Sequence, residues 1–317
     1  MSWKRLLLQL LALCVGLFIS YAYLLRLERR SLARLPLRGE RRWGALWPLA
    51  DGVRALGKRT TAPSSRRWAL LGPLVGLGLA LAALCLLPVG PDYAVGGSRW
   101  WAALSSYDPD LLSLTLLGLL SALAPWLMGL LSGQTGVREG GLAAAWRAVV
   151  YSVPALLALA GAVLVSGEFT VNGLVRWQID GRPLVLYQPL GLVLFALSSV
   201  LAARRLPAGD DVPQPALLDF HLQHAGSAWA LAHLVEYLTL FYSSAVIVRV
   251  YLAGWDGDLP GLVLKVLGVM LALLWVRQCW YRAWRQRLEP HIWRLLMVLG
   301  AANAVVTAAA VLWRNGR

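Results

Sequence analysis

The chain has 317 residues, 58% of them hydrophobic and only 15% charged, with 16 Trp and a net charge of +14. Soluble domains carry roughly 45–50% apolar and ~25% charged residues, so this composition excludes a cytosolic enzyme, a disordered tail and a disulfide scaffold. The positive charge sits in short breaks between long apolar runs and not on one basic face, which argues against nucleic acid as a partner. The composition predicts an all-α, polytopic membrane protein.

A span needs about 20 apolar residues to cross ~30 Å of hydrocarbon. Eight stretches qualify: 6–25, 68–88, 111–132, 142–166, 185–203, 229–252, 261–278 and 293–313. The first begins beside Lys4 and Arg5 like a signal peptide but has no A-x-A site, so it reads as an uncleaved span. Pro125 and Pro154 fall inside the third and fourth spans, where kinks are expected, and Pro189 shortens the fifth. Residues 1–317 therefore read as a single transmembrane helical domain, with no room for a soluble catalytic cleft and no P-loop, nucleophile elbow or dinucleotide fingerprint. Cys14, Cys85 and Cys279 stand far apart without a CxxC pair, so no metal or iron–sulfur cluster is expected in this chain.

Orientation follows from the basic loops. The break from Arg26 to Arg67 holds twelve Lys/Arg against three acids, and Arg204, Arg205, Arg282, Arg285 and Arg287 lie in later odd-numbered breaks. The alternate breaks carry Asp92, Asp108, Asp110, Glu168, Asp180, Asp256 and Asp258. Odd-numbered loops thus face the cytoplasm, and both termini face outward. Within the first loop, Leu46, Leu49, Ala50, Val53 and Leu56 recur at helical spacing, opposite Asp51, Arg54 and Lys58. That pattern predicts a short amphipathic helix in the membrane interface, held by lipid through its apolar side and basic groups.

Ionisable groups at membrane depth are costly and default to functional candidates. Arg147, Arg249 and Lys265 read as long stems that return their charge to the interface. Glu236 lies eight residues beyond Ala228, ~12 Å along a helix, too deep for its short stem to reach water. A carboxyl at that depth is a candidate proton carrier. His233, one turn earlier on the same face, is its natural hydrogen-bonded partner in a proton path. His221 and His224 precede them, but four histidines in the whole chain are too few for a di-iron site.

Three segments together carry a family resemblance. Glu28-Arg-Arg-Ser-Leu-Ala-Arg-Leu-Pro-Leu-Arg38, followed by Trp47-Pro-Leu-Ala-Asp51-Gly-Val-Arg54 and Lys58, resembles E-R-x, R-x-G-P-N and Q-P-x-A-D-x-x-K. The run from His224 through Trp229 and His233 to Glu236-Tyr237, with Gly254-Trp255 later, is similar to E-Y-S-G-x-x-F-A-L-F-F-L-A-E-Y and G-G-W. Lys265, Trp275-Val-Arg277 and Arg282 resemble K-x9-W-x-R-x-x-x-P-R. These are motifs of the core membrane subunit of respiratory complex I, its subunit 1, which forms the quinone chamber and has relatives in membrane-bound hydrogenases.

The resemblance implies a non-autonomous subunit of a proton-translocating NADH–quinone oxidoreductase in the cell inner membrane. Its partners are then the peripheral quinone-site subunits, the membrane-arm subunits, lipid and the quinone itself, which is a substrate and not a covalently bound cofactor. By the same resemblance, Arg38, Trp47, Asp51 and Arg54 line the quinone entrance. Arg277, Arg282, Asp210 and Asp211 meet the peripheral arm, and Glu236 with His233 belongs to the proton path. The chain departs from the family where acids are expected, at Ser152, Ala202 and Gln223. An anchor subunit of a hydrogenase-type complex and a stand-alone ion or solute transporter are the alternative readings, the transporter weakened by the absence of internal repeats.

Overall fold

The computed structural model describes residues 15–23, 47–58, 66–87, 93–95, 98–100, 110–121, 123–131, 135–202, 226–253, 259–284 and 289–315. In chain order these form α1 (15–23), α2 (Trp47–Gly57), α3 (Arg66–Leu86), a hairpin of β1 (Tyr93–Val95) and β2 (Ser98–Trp100), α4 (Leu111–Leu120), α5 (Leu123–Leu131) and α6 (Thr135–Ser166). They continue with α7 (Val171–Asp180), a 3-10 turn at Leu184–Leu186, α8 (Pro189–Ala202), α9 (Ser227–Tyr251), α10 (Leu259–Trp284) and α11 (Glu289–Asn315). The architecture is helical. One short hairpin accompanies the helices, paired antiparallel with Tyr93 opposite Trp100.

Among the described residues, three helices are long and apolar enough to cross a membrane: Val137–Ser166, Ser227–Tyr251 and Ile292–Trp313. Shorter apolar helices cover Leu70–Leu86, Leu111–Leu120, Pro189–Ala202 and Gly261–Val276. The segment expected over 111–132 is two helices, not one. The chain turns at Ser121, whose hydroxyl donates to the Gly118 carbonyl at 2.6 Å, and Pro125, four residues on, has no N–H to give the Ser121 carbonyl. Pro154, by contrast, lies within the continuous α6. Pro189 opens α8, four residues later than the start expected at 185, and α6 begins at Thr135, seven residues ahead of the expected 142.

Packing divides the chain into two compact units, with α3, α6 and α9 each contributing to both. The first comprises Met1–Gly78, Leu123–Ala144 and Ala208–Leu238. Here glycines bring backbones together. A Cβ on Gly72 meets the Met128 backbone nitrogen at 2.8 Å, and one on Gly76 overlaps the Ala124 Cβ and stands 3.3 Å from the Val235 side chain. Gly129 lies likewise against the Val137 carbonyl, at 2.8 Å. Such small-residue contacts are how helices associate where lipid removes the hydrophobic driving force.

The second unit comprises Leu79–Ala122, Ala145–Pro207 and Thr239–Arg317. Tyr242 of α9 lies over Gly118 of α4 and donates its hydroxyl to the Leu114 carbonyl at 2.7 Å. Thr170 caps α7, its hydroxyl accepting from the Gly173 N–H at 3.2 Å. The buried Gln178 of α7 then binds three segments at once. Its amide donates to the carbonyls of Leu174, Arg249 and Val250, and its Oε1 accepts from the N–H groups of Leu184 and Ala253 at 2.9 and 3.0 Å. Ala253 sits at φ +60°, a left-handed conformation that a non-glycine residue holds only under constraint, and the bond to Gln178 supplies it. Arg249, expected to reach back to the interface, is instead 2% exposed inside the protein.

Gln178→Leu strands the Leu184 and Ala253 donors and removes the carbonyls' partner. It should cost at least ~2 kcal/mol, read as a lower thermal midpoint in mild detergent; an unchanged midpoint refutes the clamp. Gly76→Ala should cost about 1–3 kcal/mol by overpacking α3 against α5. Val75→Ala, at a more exposed neighbouring position, should leave the midpoint nearly unmoved.

Candidate functional site

The candidate site is the first half of α9. Gly226 precedes it at φ +77°, a value glycine adopts without strain, and its carbonyl accepts from the Ala230 N–H at 3.1 Å. The helix proper follows it, from Ser227. Glu236 lies ten residues beyond Gly226, about 15 Å along the axis.

Trp229, His233 and Tyr237 succeed one another at intervals of four and share one helix face. The His233 ring centroid is 4.7 Å from that of Trp229 and 5.6 Å from that of Tyr237, with which it stacks at 18°. Tyr21 of α1 closes the group edge-on, 6.2 Å from His233 and 5.1 Å from Tyr237, with Phe18 next at 6.3 Å from Tyr21. The imidazole is 8% exposed, and its Nδ1 makes no hydrogen bond among the described residues. Three aromatic faces and edges thus hold a polar ring by quadrupole contacts.

The opposite flank of the same turns is apolar and close-packed. Ala232 packs on Met128 and Val137, and Val235 lies over Gly76. Glu236, half-buried, falls by helical register between this flank and the aromatic face. Its depth therefore depends on α3, α5 and α1 as much as on its own helix.

Trp47, Asp51 and Arg54 lie on α2, with Arg54 exposed beside Val53, which is 60% exposed. The buried point of α2 is Gly52, where a Cβ meets the Phe18 ring at 3.1 Å. Val53, on the side expected to face lipid, is turned away from the protein. Arg277 and Arg282 lie in the last turns of α10. Arg38, Asp210, Asp211, His221, His224 and Gln223 lie outside the described residues. Ser152 donates its hydroxyl to the Val149 carbonyl at 2.6 Å, within its own helix, and Ala202 ends α8. No group of three or more His, Cys, Asp or Glu side chains able to hold a metal occurs among the described residues. Sequence reasoning missed Tyr21 and Gly76 as neighbours of the site; the Gly72-x-x-x-Gly76 spacing was the available signal for the second.

The sequence is similar to those of known proteins. The family described as NADH dehydrogenase matches residues 8–308. NADH-quinone oxidoreductase subunit 8 of Thermus thermophilus is 30% identical over 96% of the chain and 86% of its own length. A further NADH-quinone oxidoreductase subunit, from Syntrophobacter fumaroxidans, is 30% identical over 94% of the chain and 93% of its own length. Among solved structures, the chain fold resembles one in the membrane-bound sulfane sulfur reductase, an archaeal respiratory membrane complex, with a TM-score of 0.72, 17% identity and coverage of 95% of this chain and 99% of that one. A helical membrane chain whose relatives match it from end to end at this level belongs to the NADH dehydrogenase family, the subunit 1 family of respiratory complex I.

Proposed function

We propose that this subunit builds the quinone-access chamber of a complex I-type oxidoreductase and joins its peripheral electron-transfer arm to the proton-translocating membrane subunits. The observation that carries the reading is Glu236, an acid half-buried in a membrane-length apolar helix beside an aromatic-held imidazole. Such a carboxyl can take up and pass on a proton without exposing charge to lipid, and His233 is the neighbouring relay group. The names of the relatives, quinone oxidoreductases all, make a lipid quinone the substrate class.

In this reading the chain crosses the inner membrane eight times with both termini outward, as one transmembrane domain. Helix α2 lies in the cytoplasmic interface. Its exposed Val53 next to exposed Arg54 and Lys58 suits a helix that meets acyl chains and headgroups along one edge while Gly52 seats it on α1. Trp47, Asp51 and Arg54, with Arg38 ahead of them, line the quinone entrance. Arg277 and Arg282 at the end of α10, with Asp210 and Asp211, meet the peripheral arm. The flavin and iron–sulfur chemistry belongs to the partner subunits, and this chain supplies the cavity, the proton route and the join.

Two substitutions test the reading. Glu236→Gln should leave the subunit assembled with its partners while proton movement coupled to quinone reduction in proteoliposomes falls at least about tenfold; full proton movement in the variant would dismiss the role. Leu49→Trp, at a half-buried position on α2, should raise the apparent KM for quinone several-fold while the complex still assembles. Loss of assembly with unchanged KM in the residual complex would instead make α2 a structural prop.

A further inference from the structure

A second surface, unrelated to the proton route, lies where helix ends of the second unit meet around α7. Helix α6, of membrane length, ends at Ser166, and the chain leaves it through Gly167 at φ +74°. The Leu111 N–H at the start of α4 donates to the Phe169 carbonyl at 3.1 Å. Gln178 ties α7 to the end of α9 through the Val250 carbonyl at 3.0 Å, and α8 starts at Pro189, just beyond the 3-10 turn. All four of these helices are apolar. Their ends set α7 and the turn at the level where hydrocarbon gives way to headgroups.

Helix α7 has two unlike sides. Val171, Leu174, Val175 and Gln178 are buried, at helical spacing. The outward side carries exposed Arg176 and, one turn on, Ile179, 46% exposed. Near it in the chain stand Phe169, 70% exposed, and Leu186, 64% exposed. The Trp177 and Tyr187 rings lie 5.5 Å apart, which brings the exposed end of the turn alongside the helix. Large apolar side chains gathered on an outer surface mark contact with a membrane or a partner. Trp and Tyr beside arginines favour the membrane interface, where an apolar body and a polar tip are both satisfied.

The charges are sorted along the same surface. The acids Asp110 and Glu168 stand at the starts of α4 and α7, where the helix dipole favours negative charge. Residues 176–182, toward the other end, hold Arg176 and Arg182 against Asp180 alone. Both arginines are exposed, and neither has a hydrogen bond or ion pair among the described residues. A guanidinium without an acid partner, set among apolar groups, matches a phosphate that carries acyl chains. We propose that this surface docks on anionic phospholipid: Arg176 and Arg182 take headgroup phosphates while Phe169, Ile179 and Leu186 lie against acyl chains.

The test is photo-crosslinking in the intact complex, reconstituted in nanodiscs of equal parts phosphatidylcholine and phosphatidylglycerol. A benzophenone amino acid replacing the exposed Leu186 should give a phospholipid adduct of this subunit on irradiation. Phosphatidylglycerol should be enriched several-fold over phosphatidylcholine in that adduct, because each arginine adds to the attraction of anionic lipid. Arg176→Gln combined with Arg182→Gln should bring the two lipids toward equal yield while the complex stays assembled. Three results would overturn the proposal: a crosslink to another subunit, no adduct at all, or equal yields of the two lipids with both arginines in place.

Discussion

Helices surrounded by hydrocarbon gain little by burying leucine against leucine, because lipid is as apolar as the partner helix. What orders this bundle is therefore the close approach of backbones and the pairing of the few polar groups that lipid cannot solvate. Gly72 and Gly76 let α3 reach α5. Gly118 lets a tyrosine of α9 lie on α4 and donate to its backbone. Gln178 ties the end of α9 to α7 and to the chain that follows each, through main-chain groups alone. The large apolar residues that dominate the composition are interchangeable in comparison.

That constraint explains why α9 carries the site. It is the most protein-enclosed of the three membrane-length helices, with 67% of its apolar window buried against 22% for Ile292–Trp313. A helix facing lipid cannot hold an acid at depth, whereas one enclosed by neighbours can offer it polar and aromatic surroundings. Residues 244–251 are buried on every side, and residues 229–237 are buried except for a half-exposed strip that includes Glu236. The acid sits where enclosure loosens.

Much of this was legible in the sequence. The apolar runs over 142–166, 229–252 and 293–313 coincide with the three membrane-length helices among the described residues, and Glu236 stood out as an acid embedded in one of them. What escaped depended on contacts distant in the chain or on segments where hydropathy is a poor guide. Helix α6 begins at Thr135 because Arg138 and Glu139 are tolerated in its first turns, although they end the apolar run. Helix α7, with Arg176, Gln178 and Asp180 in ten residues, reads as a polar loop, yet its Gln178 side chain bonds five main-chain groups. Pro125 was visible, but the break falls four residues upstream, at the carbonyl it has no N–H to satisfy. The aromatic enclosure of His233 could be half inferred from the spacing of Trp229 and Tyr237; Tyr21, on a helix near the other end of the sequence, could not.

The positions where acids are missing acquire a physical meaning beside these contacts. A row of carboxyls in a low-dielectric interior titrates as a coupled set, so that loading one changes the others. Here Ser152 commits its hydroxyl to its own helix, and the buried Gln178 of the same unit bonds main-chain groups. Amides fix geometry by donating and accepting at once, but they store no charge and relay no change of charge. A serine and an alanine at positions where the resemblance implies acids neither store charge nor pass on a change of charge. In the proton role proposed for it, Glu236 would act beside the aromatic-held imidazole of His233, and the close helix contacts of its unit hold that pair in place.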